Sequence, residues 1–268
     1  MQINNLKKHY GKNVVLEDLT YSISNSCTLI LGDNGSGKTT LFKILGGIIK
    51  EYSGDIDVKD DVSLLLDEDC LFQFKSGIEN IEYFLNKQEE SLALKYAKVF
   101  LMDDYISNKV KTYSSGMKKK LSLIISMARD KKTLLLDEPT NYLDVKSVDL
   151  LKQILIELKN EKQIIISSHD VAILDDILID DIALLKNHKL IKINRSIFAY
   201  DYYMVKTVNP ILKISYEYFM DNDYYVFKVK KDDFNLFSKE MSEYIIKEMT
   251  PLSYFHPVYL GDLYEKDN

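Results

Sequence analysis

Apolar residues in this chain fall into short runs broken by polar punctuation. Cys27–Leu31, Val62–Leu66, Thr133–Leu136 and Gln163–Ile166 are nearly continuous and predict buried strands. Upstream, Ile3, Leu6, Val14, Val15, Leu16, Leu19, Ile23 and Leu29 carry a strand pattern across residues 1–31, with one turn at Tyr10-Gly11-Lys12-Asn13. Leu41–Leu45 is apolar and helix-compatible; Gly46-Gly47 ends it, and Gly54–Val58 predicts another strand. Between residues 77 and 128 the spacing turns helical: Ile78, Ile81, Phe84 and Leu85 recur together, as do Leu92, Tyr96, Val99 and Phe100, and Leu121–Ala128 forms an apolar helix. Residues 206–268 are patterned separately. Ile211–Tyr218 and Tyr224–Val229 predict strands around a turn at Asp221-Asn222-Asp223, Phe234–Met249 an amphipathic helix, and Tyr254–Tyr259 a further strand. The dense aromatics there suit the core of a small domain.

A length of 268 residues suits one large domain with or without an appendage, and 46% hydrophobic with 28% charged residues suits a chain that buries a sizeable core. The net charge of −6 argues against nucleic acid as a partner, because phosphate backbones select basic surfaces. Cys27 and Cys70, both in apolar surroundings, read as free thiols of a cytosolic protein. The N-terminus lacks the apolar core of a signal peptide, and no apolar run approaches the ~20 residues of a membrane span, so a membrane role would come through a partner.

The chain is organised around Gly32-Asp33-Asn34-Gly35-Ser36-Gly37-Lys38-Thr39-Thr40, which fits the phosphate-binding pattern GxxxxGK[ST] between a strand and a helix. The glycines let successive N–H groups turn toward phosphate oxygens, and the helix N-terminus adds partial positive charge. Lys38 is placed for the β- and γ-phosphates and the Thr39 hydroxyl for Mg²⁺. Tyr10, a strand pair upstream, is either a sheet-edge ring or a platform on which a nucleotide base stacks.

Three strands end in polar residues: Val62–Leu66 in Asp67-Glu68-Asp69, Thr133–Leu136 in Asp137-Glu138, and Gln163–Ile166 in Ser167-Ser168-His169-Asp170. Open α/β sheets bind ligands at carboxyl strand ends. There Asp137 suits a magnesium-bound water and Glu138 an attacking water, whereas a lone His169 is often structural. Ser114 or Ser115 reads as a helix N-cap, and Lys118–Lys120 as a solvated face.

Together these motifs resemble the ATP-binding subunit of an ABC transporter over roughly residues 1–195. Gly32–Thr39 is similar to the Walker A loop, Leu134–Asp137 to Walker B with Glu138 as the catalytic carboxylate, Tyr113-Ser114-Ser115-Gly116-Met117 to a variant of the LSGGQ signature, Asn141–Asp144 to the D-loop, His169 to the switch histidine and Tyr10 to the adenine-stacking aromatic. The resemblance implies a P-loop NTPase α/β fold with a mixed core sheet, an antiparallel β subdomain and a helical subdomain at about 68–128. These would make an ABC domain over residues 1–205, followed by a small α+β appendage over 206–268. It also implies ATP and Mg²⁺ as cofactors and head-to-tail pairing with a second ABC subunit, identical or not. Each ATP would lie between one Walker loop and the other chain's Ser114, Ser115, Gly116 and Asp144, with His169 on the γ-phosphate. Hydrolysis would move separate transmembrane permease subunits, which choose the substrate, from the cytoplasmic face of the membrane.

Two departures stand out. Spacing from Glu79-Asn80 places Asp67 where the family usually has a Gln that couples Mg²⁺ to the membrane subunit, and a carboxylate there still reaches Mg²⁺; some lantibiotic-immunity exporters are similar in carrying an acidic residue. The YSxGM form of the signature resembles exporters with separate membrane subunits. The alternatives are a soluble ABC-type ATPase not tied to transport, and an ATP-binding switch of low turnover.

Overall fold

The computed structural model describes residues 1–23, 26–57, 61–66, 70–169, 173, 177–193, 202–207, 218–221, 224–230 and 245–247. Strands β1 (Gln2–Tyr10) and β2 (Asn13–Ser22) form a hairpin, closed at Gly11, whose φ of 60° is a left-handed value that suits glycine. They pair with β4 (Ser53–Asp57) in a three-stranded antiparallel sheet ordered β2-β1-β4. β3 (Cys27–Leu31) leads through residues 32–37 into α1 (Lys38–Leu45).

β3 belongs to a six-stranded sheet with β5 (Val62–Leu65), β6 (Thr133–Asp137), β7 (Gln163–Ser168), β8 (Asp181–Lys186) and β9 (Lys189–Ile193), ordered β5-β6-β7-β3-β8-β9. All neighbours are parallel except β8 and β9, a hairpin. Side chains alternate between two cores, as pleating requires. Leu29, Leu31, Leu134, Leu136, Ile164 and Ile166 face a helical layer, while Ile30, Leu135 and Ile165 face α1 and the antiparallel sheet. Both faces are covered, which is why these strands read as unbroken apolar runs.

The helical layer comprises α2 (Gly77–Phe84), α3 (Lys87–Val99), α4 (Ser115–Ala128) and α5 (Val145–Leu158). Ser76 with Glu79 and Asn86 with Glu89 form capping boxes that start α2 and α3. The segment between residues 145 and 158 carries a helical stripe in Leu151, Ile154, Leu155 and Leu158 that the strand-by-strand pattern above passes over.

The tail contains β10 (Tyr202–Thr207), β11 (Tyr218–Asp221), β12 (Tyr224–Lys230) and β13 (Ile245–Lys247) in an antiparallel sheet ordered β11-β12-β10-β13. The hairpin of β11 and β12 sits where the Asp-Asn-Asp turn was expected. Ile245–Lys247 corrects the expected helix at its C-terminal end: this segment pairs with β10, its Ile-Ile pair suiting a strand as well as a helix face. The rest of that helix, residues 211–217 of the first expected strand, and Tyr254–Tyr259 lie outside the described residues. Among the described residues no helix is long and apolar enough to cross a membrane. Cys27 is buried as expected, with burial pushing its thiol up to about 12, whereas Cys70 is exposed, correcting the apolar setting read from its neighbours.

Candidate functional site

Register brings the polar strand ends together. In the parallel ladders Leu31 lies opposite Ser168, and Asp137 lies opposite Ser167, so the loop after β3, the end of β6 and the end of β7 share one edge of the sheet. The turn after β3 is built by glycine. Gly37, the residue that caps α1, has φ 106°, and a Cβ there would lie 3.0 Å from Val15 Cγ1; Gly35 has φ 83°. A Cβ on Gly32 would lie 2.7 Å from Ser36 Oγ. Asp33 O accepts from Ser36 N at 3.1 Å, closing the loop on itself.

Lys38 is buried and points back across this loop, donating to Gly32 O at 2.6 Å and Asp33 O at 3.0 Å. Its ammonium is also 3.3 Å from Glu138 Oε1. Glu138 has φ 48°, a backbone conformation unusual for a residue with a long side chain, held by its N–H donating to Ser167 O at 3.1 Å and Ser167 Oγ at 3.2 Å. Its Oε2 meets His169 Nδ1 at 2.8 Å and accepts from His169 N at 3.3 Å. A chain Lys38–Glu138–His169 therefore crosses the sheet edge, buried at Lys38 and Glu138 and half-exposed at His169.

Asp137 is fully buried, and its Oδ1 accepts from the Ser167 hydroxyl. Burial pushes its carboxyl above the usual Asp range; Glu138 adds to this, while hydrogen bonds from Ser167 and Thr39 and the charge of Lys38 oppose it. Asp137 Oδ2 and Ser36 Oγ are buried without a hydrogen-bond partner, while Glu138 Oε1 has only the ion-pair contact with Lys38. Such orphaned oxygens are costly unless something addresses them. Asp137 with the Thr39 hydroxyl against it offers oxygen donors that suit Mg²⁺, while the glycine cradle and Lys38 suit phosphate. Among the described residues no group of three or more His, Cys, Asp and Glu is arranged to hold a metal ion.

The Asp137 shift fixes the sign of a pH effect. A carboxyl whose folded pKa lies above its unfolded value binds its proton more tightly when folded, so its contribution to stability is best at low pH and declines as pH rises through the ordinary Asp range toward the raised value. Without nucleotide, Asp137→Asn should melt at a higher temperature than wild type at pH 7, with the advantage gone below pH ~4, where both forms are neutral. Thermal melts across pH check this, and a variant no more stable at pH 7 contradicts it. With Mg·ATP the order should reverse, since only wild type gains the full binding energy.

The remaining candidates fall around this centre. Ser114 caps α4, its Oγ accepting from Met117 N at 3.2 Å, with Ser115 as the first helical residue. Tyr113 is buried and donates to Tyr105 O at 2.8 Å, anchoring the segment in the helical layer. A Cβ on Gly116 would lie 2.8 Å from Tyr142 O, so the N-terminus of α4 abuts the Asn141–Asp144 loop. Asp144 is engaged as the cap of α5: its Oδ1 accepts from Ser147 N at 2.8 Å, and that bond holds its carboxyl below the usual range. Lys118–Lys120 is not the uniform solvated face expected. Lys119 is buried with its Nζ 3.5 Å from Asp137 O, because α4 turns that position toward the sheet. Tyr10 is half-exposed at the end of β1 and pairs with Asn13, two residues from the Val15 that abuts Gly37. Asn34 and Thr40 lie in the loop and on α1 as the motif requires, and Asp67 lies outside the described residues.

Comparison with known proteins bears on this arrangement. Residues 16–141 match the family model of the ABC transporter. An uncharacterised ABC transporter ATP-binding protein of Methanocaldococcus jannaschii is 30% identical over 256 residues, covering 92% of this chain and 93% of that one. A lantibiotic transport ATP-binding protein of Streptococcus pyogenes is 33% identical over 184 residues, 63% of this chain and 80% of the relative. Among solved structures, CbiO1 of Clostridium perfringens, part of the ABC transporter complex CbiONQ, superposes with a TM-score of 0.60 at 25% identity, covering 74% of this chain and 90% of that one. The phosphate cradle, the oxygen set beside it and these likenesses agree: the chain belongs to the ABC transporter ATP-binding subunits, enzymes that bind ATP with Mg²⁺ and hydrolyse it.

Proposed function

We propose that this chain hydrolyses ATP at the edge of its parallel sheet, in a site closed by a second ABC subunit packed head to tail, and thereby drives export through separate permease subunits at the cytoplasmic face of the membrane. The observation that carries the hydrolytic part is Glu138, a buried carboxylate suspended between the Lys38 ammonium at Oε1 and His169 at Oε2. The backbone N–H groups of residues 32–39 bind the phosphates and Lys38 spans the β- and γ-phosphates. Thr39 and Asp137 would hold Mg²⁺, which would offset phosphate charge. Glu138 accepts a proton from the water as its oxygen attacks the γ-phosphorus, the bond to the β-phosphate oxygen breaks, and ADP and phosphate leave. His169 orients Glu138 through Nδ1 and contacts the γ-phosphate; Tyr10 stacks on the base. Ser114, Ser115 and Gly116 present the N-terminus of α4 to the partner's ATP, with Asp144 bracing the adjoining loop. Asp67 would add a carboxylate oxygen to the residues that hold Mg²⁺.

Coupling to a permease is supported by a groove of about 280 Å³ where β5 meets the helical layer. Ile48, Leu66, Leu71 and Phe84 line it; Phe72 stacks on Phe84 with ring centroids 5.6 Å apart and meets Tyr83 edge-on at 4.6 Å, and Phe74, 79% exposed, stands nearby in sequence. Contiguous exposed aromatics of this kind mark a protein partner. Export, of a peptide of the lantibiotic kind, is supported by the Tyr113–Met117 signature and by the lantibiotic-transport relative. The tail beyond about residue 205 serves as an accessory unit outside the nucleotide site. The test is ATP-driven movement of a fluorescent lantibiotic into inside-out vesicles carrying this chain and its permease. Uptake that Phe74→Asp abolishes, with soluble ATPase activity unchanged, is expected; ATP-driven release from such vesicles, or uptake indifferent to Phe74→Asp, contradicts the reading.

A further inference from the structure

Lys8 is a charged residue in an unexpected place. It is only 7% exposed, in a strand whose other buried members are apolar. Residues i and i+2 of a strand share a face, so Lys8 and Tyr10 lie on one side of β1. The ladder between β1 and β2 slips between Lys8 and His9, which turns this end of the strand. The Lys8 ammonium lies 4.7 Å from the centroid of the Tyr10 ring and donates to Glu51 O at 2.6 Å. Glu51 belongs to the segment between α1 and β4, so one side chain joins the ring to the exit of the helix that follows the phosphate loop.

A buried aliphatic stem would be served equally well by Met, and burying an ammonium carries a desolvation cost. The charge must therefore act on what it touches. A cation under one face of an aromatic ring holds the ring by its quadrupole and draws π density toward the buried side. The open face then repels a second π-system less, and face-to-face repulsion is what normally limits stacked pairs. Tyr10, 50% exposed, presents that open face two residues' pairing from Val15, which abuts Gly37 of the loop.

We propose that Lys8 is a positioning residue for nucleotide recognition: it fixes and polarises the Tyr10 ring for an adenine base and, through Glu51, sets the distance between base and phosphate subsites. This rests on the reading of Tyr10 as the base platform. Lys8 contributes to the part of the affinity that depends on the base and not to the part that depends on the phosphates.

The test compares dissociation constants for Mg·ATP and for magnesium with inorganic tripolyphosphate, by calorimetry on the full chain. Lys8→Met should weaken ATP about three- to tenfold and leave tripolyphosphate unchanged. Lys8→Gln, which keeps a donor for Glu51 O without the charge, should behave alike, and Lys8→Arg should retain most of the affinity because a guanidinium also serves the ring. Equal losses for both ligands would overturn the proposal in favour of a purely structural lysine, as would unchanged ATP affinity in Lys8→Gln while Tyr10→Ala loses it. Unchanged ATP affinity in Tyr10→Ala would instead remove the base-platform reading itself.

Discussion

Replacing Glu138 by Gln should lower phosphate release by roughly 10²- to 10⁴-fold, the usual contribution of a general base, while leaving ATP bound. Gln keeps the length and planarity of the side chain, so the contact with His169 Nδ1 survives in one amide orientation, and the left-handed backbone at residue 138 is still held by Ser167. The substitution removes the proton acceptor. It also removes the negative charge 3.3 Å from Lys38, which frees that ammonium from competition with phosphate, so ATP affinity should hold or rise. Steady-state phosphate release beside equilibrium binding of ATP checks both halves. Turnover near the wild-type rate would assign the base elsewhere.

Lys38→Met should cost roughly two orders of magnitude in ATP affinity, about 2.7 kcal/mol, because it removes a buried cation lying across the phosphate-binding loop. It should also destabilise the protein in the absence of nucleotide. Gly32 O loses the Lys38 donor, Asp33 O keeps Ser36 N, and Glu138 keeps a buried charge without the ammonium beside it, a loss of about 3 kcal/mol when one partner of a buried pair is deleted. The double variant Lys38→Met/Glu138→Gln should recover part of that stability without recovering ATP binding, since both charges are then gone. Thermal melts and binding isotherms on the four proteins separate these effects; additive destabilisation in the double variant would deny the ion pair its role.

Much of the site was legible because it depends on local chain properties. A glycine-rich loop needs glycines where φ is positive, as at Gly35 and Gly37, and buried parallel strands need unbroken apolar runs, as in β3, β6 and β7. The polar ends of those strands announced Asp137, Glu138 and His169. What pattern did not carry was contact between distant segments. Nothing local to Lys119 distinguishes it from Lys118 and Lys120; only the way α4 lies on the sheet buries it against Asp137. Lys8 likewise reads as one of two adjacent lysines until the bulged ladder turns it beneath Tyr10. Helix α5 was overlooked because the motif strands on either side drew the boundaries, although its stripe of Leu151, Ile154, Leu155 and Leu158 is regular. Ile245–Lys247 carries a short β-branched segment inside a helical period, and pairing with β10 decided it.

On the proposed mechanism ATP lies between the Walker loop of one chain and the α4 N-terminus of another, with Glu138 activating the water that cleaves it. This arrangement is tested most directly by the solution mass of Glu138→Gln in Mg·ATP, measured by light scattering. The expected result is a particle of twice the mass of one chain that reverts to the single-chain mass when ATP is removed. An ATP-loaded Glu138→Gln that stays at the mass of one chain, at concentrations well above its affinity for nucleotide, would contradict it.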